Sequence, residues 1–370
     1  MKVLHVLGCI NKGGTENFVF NHSLQLKNEI DFVFMTIGSA PTAYIDTFKE
    51  NNWKCYVAPN WNKGNIKKMY DFFKEIQKKE HIDIVHAHLN CDNYFIILIA
   101  FLLGIKIRIC HSHDTAGLES HNISKKVVNK LKVFIINNFT TNFLACSEEA
   151  GEYLFGKKFE IKGHVINNGI DLYSFFEINN NEINDIRKKF NLEGKKIIGN
   201  ISRFEEKKNQ IFILDVFKEI IQNDDNYILI LGGPDAGYLN KVKLYAKELN
   251  IDDKVIYLDV VDNVKNWLKL FDVFLFPSKF EGLGIILLEC QACGTSFVAS
   301  NNVPLKVDLG LNISNFLSLN LDKKEWAKCV IEATNNKVLK QDEIVNAFTE
   351  RNFTLDQSVK LLRNVYLNKL

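Results

Sequence analysis

The sequence predicts an α/β protein built from two doubly wound parallel sheets in tandem, and three observations carry that expectation. Short apolar runs alternate with helical patterns through the first half of the chain, and the alternation restarts near Lys196. Glycine-rich or basic turns follow several of the runs, where open parallel sheets hold their ligands. The chain has 370 residues, and single cores rarely grow beyond roughly 250–300 residues, so two domains are expected.

The first-half strands are expected at Val3–Leu7, Phe32–Thr36, Lys54–Val57, Ile82–His86, Ile107–Cys110 and Phe143–Ala145, with another near His164–Ile166. Helical stretches between them, such as Ile66–Glu80, place apolar residues at spacings of three and four. The second set is Lys196–Asn200, Tyr227–Leu231, Lys254–Leu258, Val273–Phe276 and Ser296–Ala299. A hinge is expected near Asn167–Ile178, where glycine, asparagine and acidic residues interrupt the pattern, and tandem units of this kind predict a cleft between domains. The domains therefore read as 1–170 and 171–353.

Composition narrows the function classes. Hydrophobic content of 46% with 24% charged residues is ordinary for a soluble globular protein, and a net charge of +2 gives no support to a nucleic-acid partner. No run approaches the ~20 apolar residues of a membrane span. Tyr94–Ile109 comes nearest, but Gly104 breaks it, and Lys106 and Arg108 fall near its end. The N-terminus, MKVLHVLGCI, has the look of a short signal peptide, yet Gly-Gly and Glu16 follow without a small-residue cleavage site. It reads as the first strand of a cytoplasmic protein. Cysteines at 9, 55, 91, 110, 146, 290, 293 and 329 suit reduced core thiols. Cys290 and Cys293 form a single CxxC inside the apolar helix LLECQAC, where packing is the expected role.

The most informative stretch is DVFLFPSKFEGLGIILLECQACGTSFVAS, Asp272–Ser300. It reads as strand, loop, helix, strand, with Glu281 on a loop that Gly282 and Gly284 keep mobile and Glu289 in the first turns of the helix. Two acids so placed suit a ligand lying across the helix N-terminus, or they merely complement the helix dipole. Elsewhere, Gly13-Gly14-Thr15-Glu16 follows the first strand and opens a helix, where backbone N–H groups can meet an anion. Arg203, with Lys208 five residues on, suits phosphate, the Arg by forked hydrogen bonds and the Lys as a point charge; the alternative is a pair of solvated cations. Leu231-Gly232-Gly233-Pro234 adds a third phosphate-friendly loop. His86, His88, His111 and His113 cluster at two strand ends, beside Asp114. The HxH spacing suits a metal, but no further Cys/His pair completes a zinc set, so hydrogen-bonded structural histidines are the competing reading.

Taken together, these residues resemble the retaining glycosyltransferases of family 4. The resemblance lies in GGTE at 13–16, DIVHAH at 83–88, RICHSHD at 108–114, LACSEEA at 144–150, NNGIDLYSF at 167–175, GNISRFEEKKN at 199–209 and PSKFEGLGIILLECQACG at 277–294. It runs to RNFTLDQSVKLLRNVY near the C-terminus and covers nearly the whole chain. HSHD and VDLGLNISNFLSL are most similar to bacterial enzymes of exopolysaccharide or capsule assembly.

The resemblance implies a GT-B fold, two Rossmann-like domains facing a central cleft. The first would take the acceptor and the second the nucleotide-sugar, while the segment 354–370 would pack back on the first. It implies Glu289 on the ribose hydroxyls, Glu281 on the transferred sugar, and Arg203 and Lys208 on the diphosphate. His113 would lie near the anomeric carbon. Gly13, Gly14, Glu16, Asn168, Gly232, Gly233, Gly282, Leu283 and Gly284 would line the substrates. The implied reaction is retaining transfer of a hexose or N-acetylhexosamine from a UDP-sugar to a saccharide or undecaprenyl-linked acceptor. It needs no metal and no cofactor, since cations and helix N-termini can stabilise the leaving diphosphate.

Some positions depart from the family's pattern. Gly232-Gly233-Pro234-Asp235 stands where many relatives have Gly-x-Gly-Pro, Asp259 replaces a common glycine, Gly284 a frequent proline, and Lys306 a frequent acid. Three other readings compete: a glycoside hydrolase using Glu281 and Glu289, a nucleotide-sugar epimerase of the same fold, and a non-catalytic sugar-nucleotide-binding subunit. The hydrolase leaves Arg203 and Lys208 without a purpose. The basic and apolar stretch Ser124–Phe134 suits peripheral contact with the inner membrane face, against the plainer expectation that its apolar side enters the core.

Overall fold

Runs of four to seven residues, apolar on both sides, make strands that need cover on both faces, and parallel sheets supply it. A computed structural model describes residues 1–11, 13–60, 65–115, 118, 122–222, 224–261, 263–335 and 339–369. They divide into two compact units, Met1–Gly169 with Leu355–Leu370, and Ile170–Thr354. The unit edges lie one residue from those read off the sequence.

In the first unit the strands are β1 (Lys2–Leu7), β2 (Asp31–Ile37), β3 (Lys54–Ala58), β4 (Ile84–Ala87), β5 (Ile107–Ser112), β6 (Asn142–Ala145) and β7 (Gly163–Val165). They form one parallel sheet in the order β3-β2-β1-β4-β5-β6-β7. Alternate residues of β1 serve opposite faces: Leu4 and Val6 pack with Phe73, Ile76 and Ile97, whereas Val3 and Leu7 pack with Phe20, Phe32 and Phe34. The helix Ile66–Glu80 has the expected bounds and buries Met69, Phe73 and Ile76 at helical spacing. The C-terminal helix, Leu355–Tyr366, completes the aromatic face of this unit with Leu362, Val365 and Tyr366. Ser358 fastens it, with Oγ 2.6 Å from His22 Nε2 and donating to the Asn167 carbonyl at 2.6 Å.

The second unit has β8 (Lys196–Ile201), β9 (Tyr227–Gly232), β10 (Val255–Leu258), β11 (Val273–Phe276), β12 (Ser296–Ser300) and β13 (Ser314–Leu317). They are also all parallel, in the order β10-β9-β8-β11-β12-β13. Strand β13 is absent from the sequence-based expectation. It is an edge strand, half-buried at every residue, so it shows neither a continuous apolar run nor a clean alternation.

In each sheet the direction of winding reverses once, between β1 and β4 and between β8 and β11. Loops leaving such neighbours diverge and open a crevice for ligands.

Among the described residues no helix is long and apolar enough to cross a membrane. None of the eight cysteines is in a disulfide, and Cys290 and Cys293 pack in the core of the second unit.

Candidate active site

In the second unit the loops after β8 and β11 are knitted together. Asn209, at φ +61°, donates from Nδ2 to the Pro277 carbonyl at 3.1 Å. The Lys207 carbonyl accepts from the backbone N–H of Lys279 at 2.8 Å and from Ser278 Oγ at 3.1 Å. This brings Lys208 Nζ to 2.6 Å from Glu281 Oε1, with the two side chains only 16% and 11% exposed. Ser278 Oγ lies 2.6 Å from the same carboxylate oxygen, and the Lys208 ammonium stands 5.1 Å from the centre of the Phe276 ring. The glutamate is therefore held by hydrogen bonds from both loops. Gly284 sits at φ +85° immediately before the helix Ile285–Cys293, a turn that side chains resist. Gly282 is exposed beside it, whereas Leu283 turns its side chain into the core, leaving only backbone to face a ligand.

Arg203 is exposed, and its guanidinium has no hydrogen bond or ion pair among the described residues. Its backbone is fixed, because its carbonyl accepts from Gln210 Nε2 at 2.9 Å. Gly233 explains how the next loop passes: at φ +137°, a Cβ there would lie 2.2 Å from the Ser202 carbonyl oxygen. The neighbouring Gly232 carbonyl accepts from Ser202 N–H at 2.8 Å. Asp235, the departure from Gly-x-Gly-Pro, accepts the backbone N–H groups of Gly237, Tyr238 and Leu239 at 2.8–3.0 Å. Those bonds hold its carboxyl below the ordinary value.

Glu289 is the fifth residue of its helix, beyond the turn in which acids complement the dipole. It is half-buried, has no hydrogen-bonding partner among the described residues, and is pushed up to about 7 by desolvation. A carboxylate so placed is short of donors. A hollow of about 440 Å³ in this unit, lined by Phe175, Lys269, Asp272 and Thr295, lies at the opposite ends of the strands and contains none of the candidate residues.

In the first unit Gly13 caps the helix Gly14–Leu26 with extended backbone, and Gly14 is exposed at its first position. Glu16 is buried in the first turn. Asn168, past β7, has a buried Oδ1 with no partner among the described residues. His113 lies just past β5, half-buried, its backbone N–H donating to Asn90 Oδ1 at 2.8 Å and its Nε2 2.8 Å from His88 Nδ1. His88 Nε2 in turn is 2.9 Å from His5 Nδ1. The ring nitrogens of His5, His86 and His88, and those of His88, His111 and His113, lie within 4.8 Å of one another. The imidazoles that the HxH spacing lacked thus come from other strands.

The structure therefore joins Lys208 to Glu281, leaves Arg203 and Glu289 unspent, and gives Leu283 a core position. Sequence reasoning did not find Ser278, Asn209, His5 or Tyr366. Ser278 had a signal, since it directly follows Pro277 in the same loop; a single histidine within the apolar run of β1 gives none.

Two Rossmann-like units carry cations, acids and glycines on the loops at their strand ends, where folds of this class hold their ligands. Residues 182–350 match the family model described as glycosyl transferases group 1, and residues 12–173 match Glycosyltransferase Family 4. The chain belongs to glycosyltransferase family 4. It is 30% identical to EpsF of Bacillus subtilis (strain 168) over 99% of this chain and 96% of that one. It is 28% identical to the capsular polysaccharide biosynthesis glycosyltransferase CapH of Staphylococcus aureus, over 100% and 99%. Among solved structures it is similar to Anabaena HepE in complex with UDP and glucose, with TM-score 0.81 and 17% identity across the whole of both chains, which gives it the GT-B fold.

Proposed function

We propose that this glycosyltransferase moves a hexose or N-acetylhexosamine from a UDP-sugar to a saccharide or undecaprenyl-linked acceptor in bacterial surface polysaccharide synthesis, with retention at the anomeric carbon. The observation that carries this reading is the grouping on the second unit's loops: the Lys208–Glu281 pair, with the unspent cation of Arg203 and the donor-poor carboxyl of Glu289. UDP and glucose in HepE, and the capsular role in CapH's name, support the donor and the pathway class.

In this reading Arg203 and Lys208 neutralise charge building on the β-phosphate as the bond to the sugar breaks. Glu281, its far side braced by Ser278, accepts hydroxyls of the transferred sugar. Glu289 accepts the ribose hydroxyls, whose donors answer its desolvation. No residue is needed as a nucleophile: the departing phosphate takes the acceptor's proton on the same face of the sugar, and configuration is kept. The cations already supply the electrostatic stabilisation, so the reading includes no metal. The first unit receives the acceptor, and its exposed basic helix Ile123–Phe139 rests on an anionic membrane face.

The test is incubation of the purified protein with a panel of sugar nucleotides and lipid-linked acceptors, before and after chelation. An α-linked product from an α-configured donor, undiminished by chelation, is expected. An inverted product, or an altered sugar nucleotide formed without acceptor, overturns the reading.

A further inference from the structure

Six histidines of the first unit are buried or half-buried together, more than the transfer reaction uses. His5 and His86 are register partners on β1 and β4, and His111 lies on the adjacent strand β5. His88 and His113 follow β4 and β5, and His22 lies on the first helix. We propose that His88 and His5 are positioning residues that fix the tautomer and ring plane of His113, through one hydrogen-bonded chain that reaches Tyr366 on the C-terminal helix. The proposal rests on the role that the family resemblance implies for His113, near the anomeric carbon.

The chain is continuous. His113 Nε2 lies 2.8 Å from His88 Nδ1, and His88 Nε2 lies 2.9 Å from His5 Nδ1. His5 Nε2 then meets two hydroxyls, Tyr366 at 3.4 Å and Ser23 at 3.5 Å. Tyr366 makes its shorter bond, 2.8 Å, to His86 Nδ1, and His86 Nε2 lies 3.2 Å from His111 Nδ1. His111 Nε2 ends the run, buried and without a partner among the described residues.

A neutral imidazole carries one N–H and one lone pair, so two nitrogens can share a hydrogen bond only as donor and acceptor. Linked rings must therefore be ordered head to tail. If His88 donates to His113, it must accept from His5; if it accepts, it must donate onward. The other nitrogen of His113, Nδ1, is accordingly a donor in one order and an acceptor in the other, and no ring can change alone. The far end selects the order: His111 Nε2 is buried without a partner among the described residues, and an orphaned lone pair costs less than an orphaned N–H, so each link donates towards His113 and its Nδ1 carries the proton. Burial keeps the rings neutral: desolvation pushes His5 and His113 down to about 3, and His86, His88 and His111 well below the ordinary value. Aromatic walls hold the planes, with Phe32 and Phe34 stacked 5.5 and 5.6 Å from His5 and His111 stacked 4.2 Å from His113.

A buried metal is the competing explanation of so many imidazoles, and the spacing favours the relay. Two ligand nitrogens on a tetrahedral ion at 2.0–2.1 Å stand roughly 3.3 Å apart. The 2.8 and 2.9 Å separations here are those of hydrogen bonds.

The experiment is nitrogen NMR of the full chain labelled at histidine, with His113→Gln used to assign the His113 signals. His5→Phe fits the aromatic stack and removes a link that does not touch His113; Tyr366→Phe is the second variant, keeping its ring in place. The parent should show one tautomer at His113, and His5→Phe a mixture of two. Transfer kcat should fall about tenfold, the scale on which partners that orient an imidazole act, with donor KM unchanged. The double variant His5→Phe/His113→Gln should lose no more than His113→Gln alone. An unaltered His113 tautomer in both distal variants, or stoichiometric zinc in the purified protein that is lost in His88→Gln, overturns the relay. A shifted tautomer with undiminished kcat supports the relay and instead removes His113 from the proposed reaction.

Discussion

Lys208 and Glu281 form an ion pair at 2.6 Å although 73 residues separate them, and Ser278 supports the same carboxylate oxygen. Each charge is largely withdrawn from water, so removing one leaves the other uncompensated. Single changes, Lys208→Met or Glu281→Gln, should therefore cost about 2–3 kcal/mol in urea unfolding, while the double change should lie within about 1 kcal/mol of the parent. Transfer should fail in all three, by about 100-fold or more in kcat. Additive destabilisation in the double variant would show that the pair is not coupled.

Arg203 should behave in the opposite way. Its guanidinium is exposed and spends nothing on the fold, so Arg203→Ala should keep stability within about 0.5 kcal/mol of the parent. Binding of UDP should weaken by about 2 kcal/mol, the range for a hydrogen bond to a charged group. Calorimetric titration at two salt concentrations checks this: the parent's affinity should fall more steeply with salt than the variant's. Equal affinity in parent and variant would remove Arg203 from the diphosphate.

Glu289 should make donor binding depend on pH. Its carboxyl is raised from an ordinary 4.5 to about 7 by desolvation. Between these values the folded chain holds a proton that the unfolded chain has lost, so its contribution to stability falls as pH rises through that window and is level above it. In the proposed site ribose hydroxyls donate to the charged form, so UDP-glucose, which has no ionisation of its own near 7, should bind more tightly as pH rises from about 5.5 to 7.5. Binding in that range should release up to about one proton, seen as a buffer-dependent heat. Glu289→Gln should flatten the profile; an unaltered slope in that variant would place the titrating group elsewhere.

These predictions depend on different degrees of legibility. Twelve of the thirteen described strands were readable, most of them as apolar runs, because a strand covered on both faces needs almost no polar residue; the half-buried edge strand Gly163–Val165 was placed only approximately. The half-buried edge strand Ser314–Leu317 lacks that signature. Arg203, Lys208, Glu281 and Glu289 were legible as residue types at short spacings. Their partners were not: the contact of Lys208 with Glu281 is made by the adjacency of β8 and β11, a fact of topology rather than of local sequence. His5 and Tyr366, separated by 361 residues, are invisible for the same reason. The core position of Leu283 likewise depends on how the loop turns at Gly284.

The helix Ile123–Phe139 leaves most of its apolar side chains outside the core. Ile123, Val127, Leu131 and Phe134, spaced four, four and three apart, are 79%, 62%, 57% and 61% exposed, and Ile136 is its one fully buried residue. That stripe stays outside the core. Lys125, Lys126 and Lys130 are exposed on the same helix, while Lys132 is engaged by Asp92 at 2.6 Å. Apolar side chains flanked by free cations suit the boundary of an anionic bilayer, where each lysine near the surface adds about 1 kcal/mol. The protein should therefore float with vesicles containing phosphatidylglycerol and remain behind with neutral ones. Leu131→Glu/Phe134→Glu should abolish flotation, and at exposed positions should cost the fold under about 0.5 kcal/mol. Activity towards a short water-soluble acceptor should persist in that variant, whereas activity towards a lipid-linked acceptor in vesicles should drop. Flotation that ignores lipid charge, or survives the double change, would assign the exposed apolar stripe to a protein partner instead.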